Sequence, residues 1–171
     1  MERAWVLEHL AVTMRRVDFL DPEYASEPDT RERGVRVEVK PVTTRAQGSI
    51  YASDVTTLDP ALCRLDFLES APGKADRMHW HPEMTDGDPG DRTFDRDMPA
   101  DPQGWLTRFL QSGLGEYLRE RHHDITAYAD DLDNLNALTD DIVRQLGEDL
   151  AWARQPWPDV EHDERGMARV R

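Results

Sequence analysis

The sequence predicts an α+β protein, with an N-terminal antiparallel sheet or partial β-barrel of about 4–6 strands followed by two helices, of which the second is long. Apolar and polar residues alternate in short stretches over residues 1–98, whereas helical spacing takes over in residues 101–154. A chain of 171 residues is long enough to bury one hydrophobic core. We therefore expect a single domain over residues 1–154 and a tail over residues 155–171 that is flexible or held only by its tryptophans.

The first 33 residues carry two different signals. Residues 5–20 fit both a helical stripe and the alternation of a strand, and we favour a strand. Residues 21–33 contain Pro22, Pro28 and many charged side chains, so we expect an exposed loop there.

The clearest strand follows Gly34. Val35, Val37 and Val39 alternate with charged residues, which is the period of a half-buried strand, and we expect Pro41 to end it. Turn residues then separate three further predicted strands, at residues 49–57, 62–69 and 76–81.

The first helix is predicted to begin at Asp101-Pro102, because aspartate caps free backbone amides and proline is tolerated in the first helical position. Gly113 and Gly115 each weaken this helix by about 1 kcal/mol relative to alanine. We expect a break near these two glycines.

The second helix, predicted over residues 124–154, has the strongest periodic signal. Its apolar stripe keeps a spacing of three and four residues: Ile125, Tyr128, Leu132, Leu135, Thr139, Ile142 and Leu146. A helix of this length measures about 45 Å. We expect it to pair with the preceding helix, to form a homodimer or to bind a protein partner, while its many acidic residues form a solvated face.

Composition excludes several classes of function. A formal net charge of −14 disfavours nucleic-acid binding, and no stretch approaches the roughly 20 apolar residues of a membrane span. Cys63 is the single cysteine, so neither an internal disulfide nor a four-cysteine zinc site can form. We expect a cytoplasmic protein.

The stretch from Gly73 to Met98 concentrates the residues with metal-binding chemistry. In a strand, His79 and His81 would present both imidazoles on one face. Glu83 or Asp86 could add a carboxylate, which gives a ligand set suited to a divalent ion such as zinc, iron, nickel or manganese. At least one further ligand is required, and the histidines available for it are His9, His122 and His123.

Pro72-Gly73, five further residues and then His79-x-His81 resemble the first half of the first cupin motif. The resemblance implies a β-barrel in which two histidines and a glutamate bind a metal. The glutamate of that motif would fall near Thr85 and Asp86, so only Asp86 could replace it. The second cupin motif is missing, and the C-terminal half of the chain is helical instead.

Two interpretations of this stretch remain open from sequence. The histidines could form a metal centre of a small metalloenzyme, with Arg92 or Arg96 binding an anionic substrate beside them. Alternatively, if Met78 and Trp80 face the core, the histidines would lie on the wet side of the sheet. The protein would then be an acidic interaction protein that acts through its long helix.

Overall fold

A computed structural model describes residues 2–20, 31–48, 53–121, 123–159, 161–162 and 168–169. An N-terminal antiparallel sheet of six strands precedes the helices, which confirms the predicted α+β class. The strands of this sheet are β1 (Glu2–Val6), β2 (Leu10–Leu20), β3 (Arg31–Gln47), β4 (Ser53–Leu58), β5 (Cys63–Glu69) and β6 (His79–His81). Two small hairpins consist of β7 (Met84–Thr85) with β8 (Asp88–Pro89), and of β9 (Glu161–His162) with β10 (Ala168–Arg169).

The strand order is β1-β2-β3-β5-β6, with β4 paired to the far half of β3. The edge strands β1 and β6 do not pair with each other within the described residues, so the sheet is not closed into the barrel that the cupin resemblance implies. Strand β6 covers only the second half of the strand predicted at residues 76–81. The first residues of the strand predicted at 49–57 lie outside the described residues.

The long central strand β3 corrects two expectations. It includes residues 31–33, which were predicted to be exposed loop and are buried, while residues 21–30 lie outside the described residues. It also continues through Pro41, where we expected it to end. Proline is tolerated because β3 changes its partner strand there. It pairs with β5 as far as Val39 and with β4 from Val42 onward.

Helices cover one face of the sheet. They are α1 (Asp97–Ala100), α2 (Pro102–Arg108), α3 (Leu114–Glu120) and α4 (Ala129–Ala153). The Asp101 carboxylate caps α2 by accepting a hydrogen bond from the Gly104 amide at 3.0 Å, as the sequence predicts. The expected break near Gly113 does not occur, because a π-helical turn (Phe109–Gly113) joins α2 to α3.

The long helix consists of a 3-10 turn (Ile125–Tyr128) followed by α4, close to the predicted bounds. Four residues of its stripe are buried against the chain's own sheet and the preceding helices, whereas Ile125, Tyr128 and Leu132 are half-buried. The buried members are Leu135, Thr139, Ile142 and Leu146. They join one core with alternate residues of β2, β3 and β5, among them Val12, Met14, Val35, Val37, Leu65 and Phe67.

Two acidic residues of α4 are buried, so the solvated face predicted for this helix is wrong at these positions. The Asp131 carboxylate accepts hydrogen bonds from the backbone amides of Glu8, His9 and Leu10, at 3.2, 2.7 and 2.7 Å. Asp149 pairs with Arg16 of β2 at 2.7 Å. The remaining acids include Asp130, Asp133, Asp140 and Glu148, which are exposed as predicted.

Within the described residues, no helix combines the length and apolar character that crossing a membrane requires.

Trp157, in the predicted tail, donates its indole N–H to the carbonyl oxygen of Ala153 at 2.6 Å. The Arg31 guanidinium lies 5.3 Å from the centre of the same indole ring. The tryptophan contact expected for this tail is therefore present.

Asp131→Ala is expected to lower the free energy of unfolding by about 2–4 kcal/mol, because three backbone amides of the turn between β1 and β2 lose their acceptor. Urea unfolding followed by circular dichroism measures this loss. Asp130→Ala is the matched control, since Asp130 is exposed in the same first turn of α4. It removes the same charge and should cost at most about 1 kcal/mol. Equal losses for the two variants would contradict a specific role for Asp131.

Candidate metal centre

The register of three neighbouring strands brings a histidine pair beside an aspartate. Asp66 on β5 is paired with His79 on β6 and with Arg36 on β3. Two residues before Asp66 on the same strand, Arg64 is paired with His81. Because residues two apart in a strand share a face, all of these side chains lie on the face opposite the helices.

A loop closes over this polar face. Thr93 forms two hydrogen bonds with the backbone of Trp80, at 2.8 and 3.0 Å, and so attaches the segment after β8 to the edge of the sheet. Asp66, His79 and His81 are consequently only 2, 2 and 5% exposed. The interpretation that places both histidines on a wet face is therefore wrong. Trp80 points the other way, into an aromatic cluster with Trp105, Phe109 and Tyr117.

Hydrogen bonds to carbonyl oxygens orient both imidazoles. Nδ1 of His79 lies 2.8 Å from the Arg77 carbonyl oxygen, and Nδ1 of His81 lies 2.7 Å from the Gly90 carbonyl oxygen. A carbonyl can only accept, so each Nδ1 carries the proton. In a neutral ring, Nε2 then holds an unprotonated lone pair.

The two Nε2 atoms face each other at 3.1 Å, and Oδ2 of Asp66 lies 3.7 Å from one and 3.8 Å from the other. The ligand atoms of Asp66, His79 and His81 all lie within 4.8 Å of one another, so this group could hold a metal ion. Two metal–nitrogen bonds of about 2.1 Å, meeting at roughly a right angle, span the distance between the two Nε2 atoms.

Arg36 fixes the carboxylate of this group. Its Nε donates to Oδ1 of Asp66 at 2.7 Å and its Nη2 donates to Oδ2 at 3.1 Å. This two-point contact holds the carboxylate plane in one orientation. Oδ2, which accepts one of these bonds, is also the oxygen that lies 3.7 and 3.8 Å from the two Nε2 atoms.

Burial favours the neutral form of His79. It lowers the pKa of His79 below the usual value, and the neighbouring His81 and the positive charge of Arg92 add to this effect. The hydrogen bond to Arg77 and the negative charge of Asp66 oppose the shift without cancelling it. A neutral imidazole is the form that binds metals.

The three residues line a cavity of about 340 Å³. Its walls also contain two residues from β2 and β3, Phe19 and Glu32, the arginines Arg36 and Arg64, and the loop residues Pro89, Gly90, Asp91 and Arg92. The cavity is therefore mainly polar, with charges of both signs.

Of the other four site residues proposed from sequence, only Arg92 lines the cavity beside this group. Glu83 is exposed and pairs with Arg121 at 2.9 Å, and Asp86 is exposed in the turn between β7 and β8, with a positive φ of 52°. Neither belongs to the group, whose carboxylate comes from Asp66. Arg92 lines the cavity, whereas Arg96 is exposed just before α1 and does not line it.

Of the further histidines proposed as ligands, the two that the structure describes, His9 and His123, do not join the group. His9 lies at the turn before β2, with half of its side chain exposed, and its Nε2 is 3.7 Å from Glu8. His123 is also outside the group, and His122 lies outside the described residues. Sequence reasoning did not single out Asp66 because it lies 13 residues before His79. The only sequence signal for it was an acid in the strand, on the opposite face from Leu65 and Phe67.

No family model, curated protein or solved structure matches the chain in the comparisons with known proteins.

Cys63 takes no part in the polar site. It lies fully buried on the helix-facing side of β5, and burial raises the pKa of its thiol to about 12. A thiol in this state is neither a nucleophile nor a metal ligand at neutral pH.

We expect Cys63 in the folded protein not to react with a thiol-specific chromogenic disulfide at pH 8, because it is inaccessible and its thiolate is scarcely populated. The same sample in concentrated urea should react with one equivalent within minutes, and Cys63→Ala supplies the blank. Rapid stoichiometric reaction of the folded protein would show that the thiol is exposed and ionisable.

Proposed function

We propose that the chain is a divalent-metal-binding protein whose centre consists of Asp66, His79 and His81. The observation that supports this most strongly is the convergence of three metal-ligating atoms in a buried site. Nε2 of His79, Nε2 of His81 and an oxygen of Asp66 lie within 4.8 Å of one another. Both rings donate from Nδ1 to carbonyl oxygens, so in neutral rings the two Nε2 lone pairs face each other at 3.1 Å, and a cation between them would remove this repulsion.

A shared proton is the simplest competing explanation. It would require one imidazole to be doubly protonated, so that its Nε2 donates to its neighbour. In His79, burial opposes this state more strongly than the hydrogen bond to Arg77 and the charge of Asp66 favour it. A metal ion would satisfy both Nε2 lone pairs without charging an imidazole, so we favour the metal.

Two nitrogen ligands and one oxygen ligand suit zinc, iron, nickel or manganese. Three protein ligands leave open coordination positions, which is typical of catalytic rather than structural sites. At such positions the ion polarises a substrate oxygen or activates water. A metalloenzyme function is therefore part of the proposal, with Asp66 in the place that we first gave to Glu83 or Asp86.

The alternative function, an interaction protein that uses the apolar stripe of the long helix, has less support. Leu135 and Ile142 are buried within the chain's own fold, so these two residues of the stripe are not available to a partner. A homodimer or a partner contact through residues 124–154 stays a prediction. We also propose a cytoplasmic location without nucleic-acid partners, supported by the single buried cysteine and by the net charge of −14.

The tag-free parent protein is expected to bind about one Co²⁺ or Zn²⁺ per chain, and His79→Ala with His81→Ala should weaken this binding by at least about a hundredfold. Asp66→Asn should weaken it as well, since one oxygen ligand loses its charge. Isothermal titration calorimetry gives the affinities, elemental analysis gives the stoichiometry, and the visible bands of Co²⁺ report nitrogen ligation.

His9→Ala is the matched control, because His9 is a half-exposed histidine outside the group. It should leave the affinity unchanged. Metal uptake by the double-histidine variant equal to that of the parent would rule out this centre, as would a parent that binds no divalent ion at all.

A further inference from the structure

We propose that the open positions of this centre bind a small chelating carboxylate, a dianion with two adjacent oxygen donors, which Arg64 and Arg36 hold against the metal. This inference rests on the proposed metal centre. It follows from the unused donors of two arginines, from the charge of the cavity and from its size.

The two arginines each retain part of the guanidinium for a ligand. Arg64 donates from Nε to Glu38 at 3.0 Å and from Nη2 to the Gly87 carbonyl oxygen at 3.5 Å. Arg36 uses Nε and Nη2 on Asp66. Nη1 of both residues takes no part in these bonds within the described part of the chain, and both side chains line the cavity.

Their positions in the sheet place the two guanidinium groups on either side of the carboxylate ligand. Arg36 is paired with Asp66, and Arg64 precedes Asp66 by two residues on the same strand and is paired with His81. Arg36 and Arg64 are thus diagonal neighbours on one face, with Cα atoms roughly 7–8 Å apart. A planar carboxylate matches the fork of a guanidinium, which makes a carboxylate the preferred anion.

The charges in the cavity walls favour a dianion. The positively charged residues are Arg36, Arg64 and Arg92, and the carboxylates are Glu32, Asp66 and Asp91, so the walls are formally neutral when the histidines are neutral. The charge of Glu38, behind Arg64, is matched by Lys40 at 3.1 Å. A divalent ion therefore gives the site a surplus of two positive charges, which a dianion neutralises.

The size of the cavity limits the ligand. About 340 Å³ lies at the small end of ligand pockets in proteins. Because the three protein ligands approach from the strands β5 and β6, the open positions lie together on the cavity side. Adjacent positions suit a ligand whose two oxygens close a small chelate ring, of which oxalate is the simplest probe.

The test is calorimetric titration of the Co²⁺-loaded protein with oxalate, with acetate and inorganic phosphate as comparison anions and with the metal content measured before and after. The parent should bind oxalate more tightly than either comparison anion, with a shift of the Co²⁺ bands and without loss of metal. Arg64→Gln should bind oxalate about ten- to a hundredfold more weakly, because one charge-assisted hydrogen bond is lost.

Arg15→Gln is the matched control. Arg15 is paired with Arg36 on the same face of the sheet, one strand farther away, but it does not line the cavity. It removes the same charge and should change oxalate affinity by less than about twofold. Arg64→Gln should fold, since Glu38 keeps Lys40 as a partner, and it should still bind Co²⁺, at least as tightly as the parent, because a positive charge near the metal is removed.

Each result separates the two proposals. A parent that binds no Co²⁺ overturns the metal centre and this inference with it. A parent that binds Co²⁺ but not oxalate, that loses its metal to oxalate, or whose Arg64→Gln variant binds oxalate equally well overturns this inference alone. Tighter binding of phosphate than of oxalate would assign the site to tetrahedral oxoanions instead.

Discussion

The alternation of β3 is the constraint on which both faces of the protein depend. Val35, Val37 and Val39 face the helices, so the intervening Arg36 and Glu38 must face the other side. β3 is paired along both edges, and on this face Glu38 is buried and Arg36 is half-buried. They have to find partners on the neighbouring strand, and they do so in Asp66 and Arg64.

The acids of α4 solve a related problem on the other face. A helix with many aspartates can pack on a sheet only if the buried ones are satisfied. The Asp131 carboxylate accepts hydrogen bonds from three backbone amides. The Asp149 carboxylate pairs with Arg16 and accepts a hydrogen bond from the Gln145 side chain. These contacts fix the helix at both ends against β2. The helix that the sequence suggested for a partner therefore packs against the sheet of its own chain.

Patterns with a short range were sufficient to predict the class of fold and the shared face of the histidines, because period two and helical spacing are local properties. The choice of carboxylate was not predictable in this way. Asp66 meets His79 only through the register between β5 and β6, which the intervening turn determines. Glu83 and Asp86 were closer in sequence, but a turn carries them away from the pair. Burial of Asp131 likewise depends on where the first hairpin contacts the helix.

The polar face contains two kinds of arrangement: charged pairs between β3 and β5, and the histidine pair beside Asp66. In the charged pairs of β3 and β5, Arg36 with Asp66 and Arg64 with Glu38, donors face acceptors. The two imidazoles are different, because their Nδ1 donors are bonded to carbonyls and, in neutral rings, their Nε2 lone pairs face each other at 3.1 Å. Two lone pairs that converge in a buried site beside the Asp66 carboxylate depart from local consistency. Such departures are typical of functional sites, and a bound cation would restore the consistency of this one.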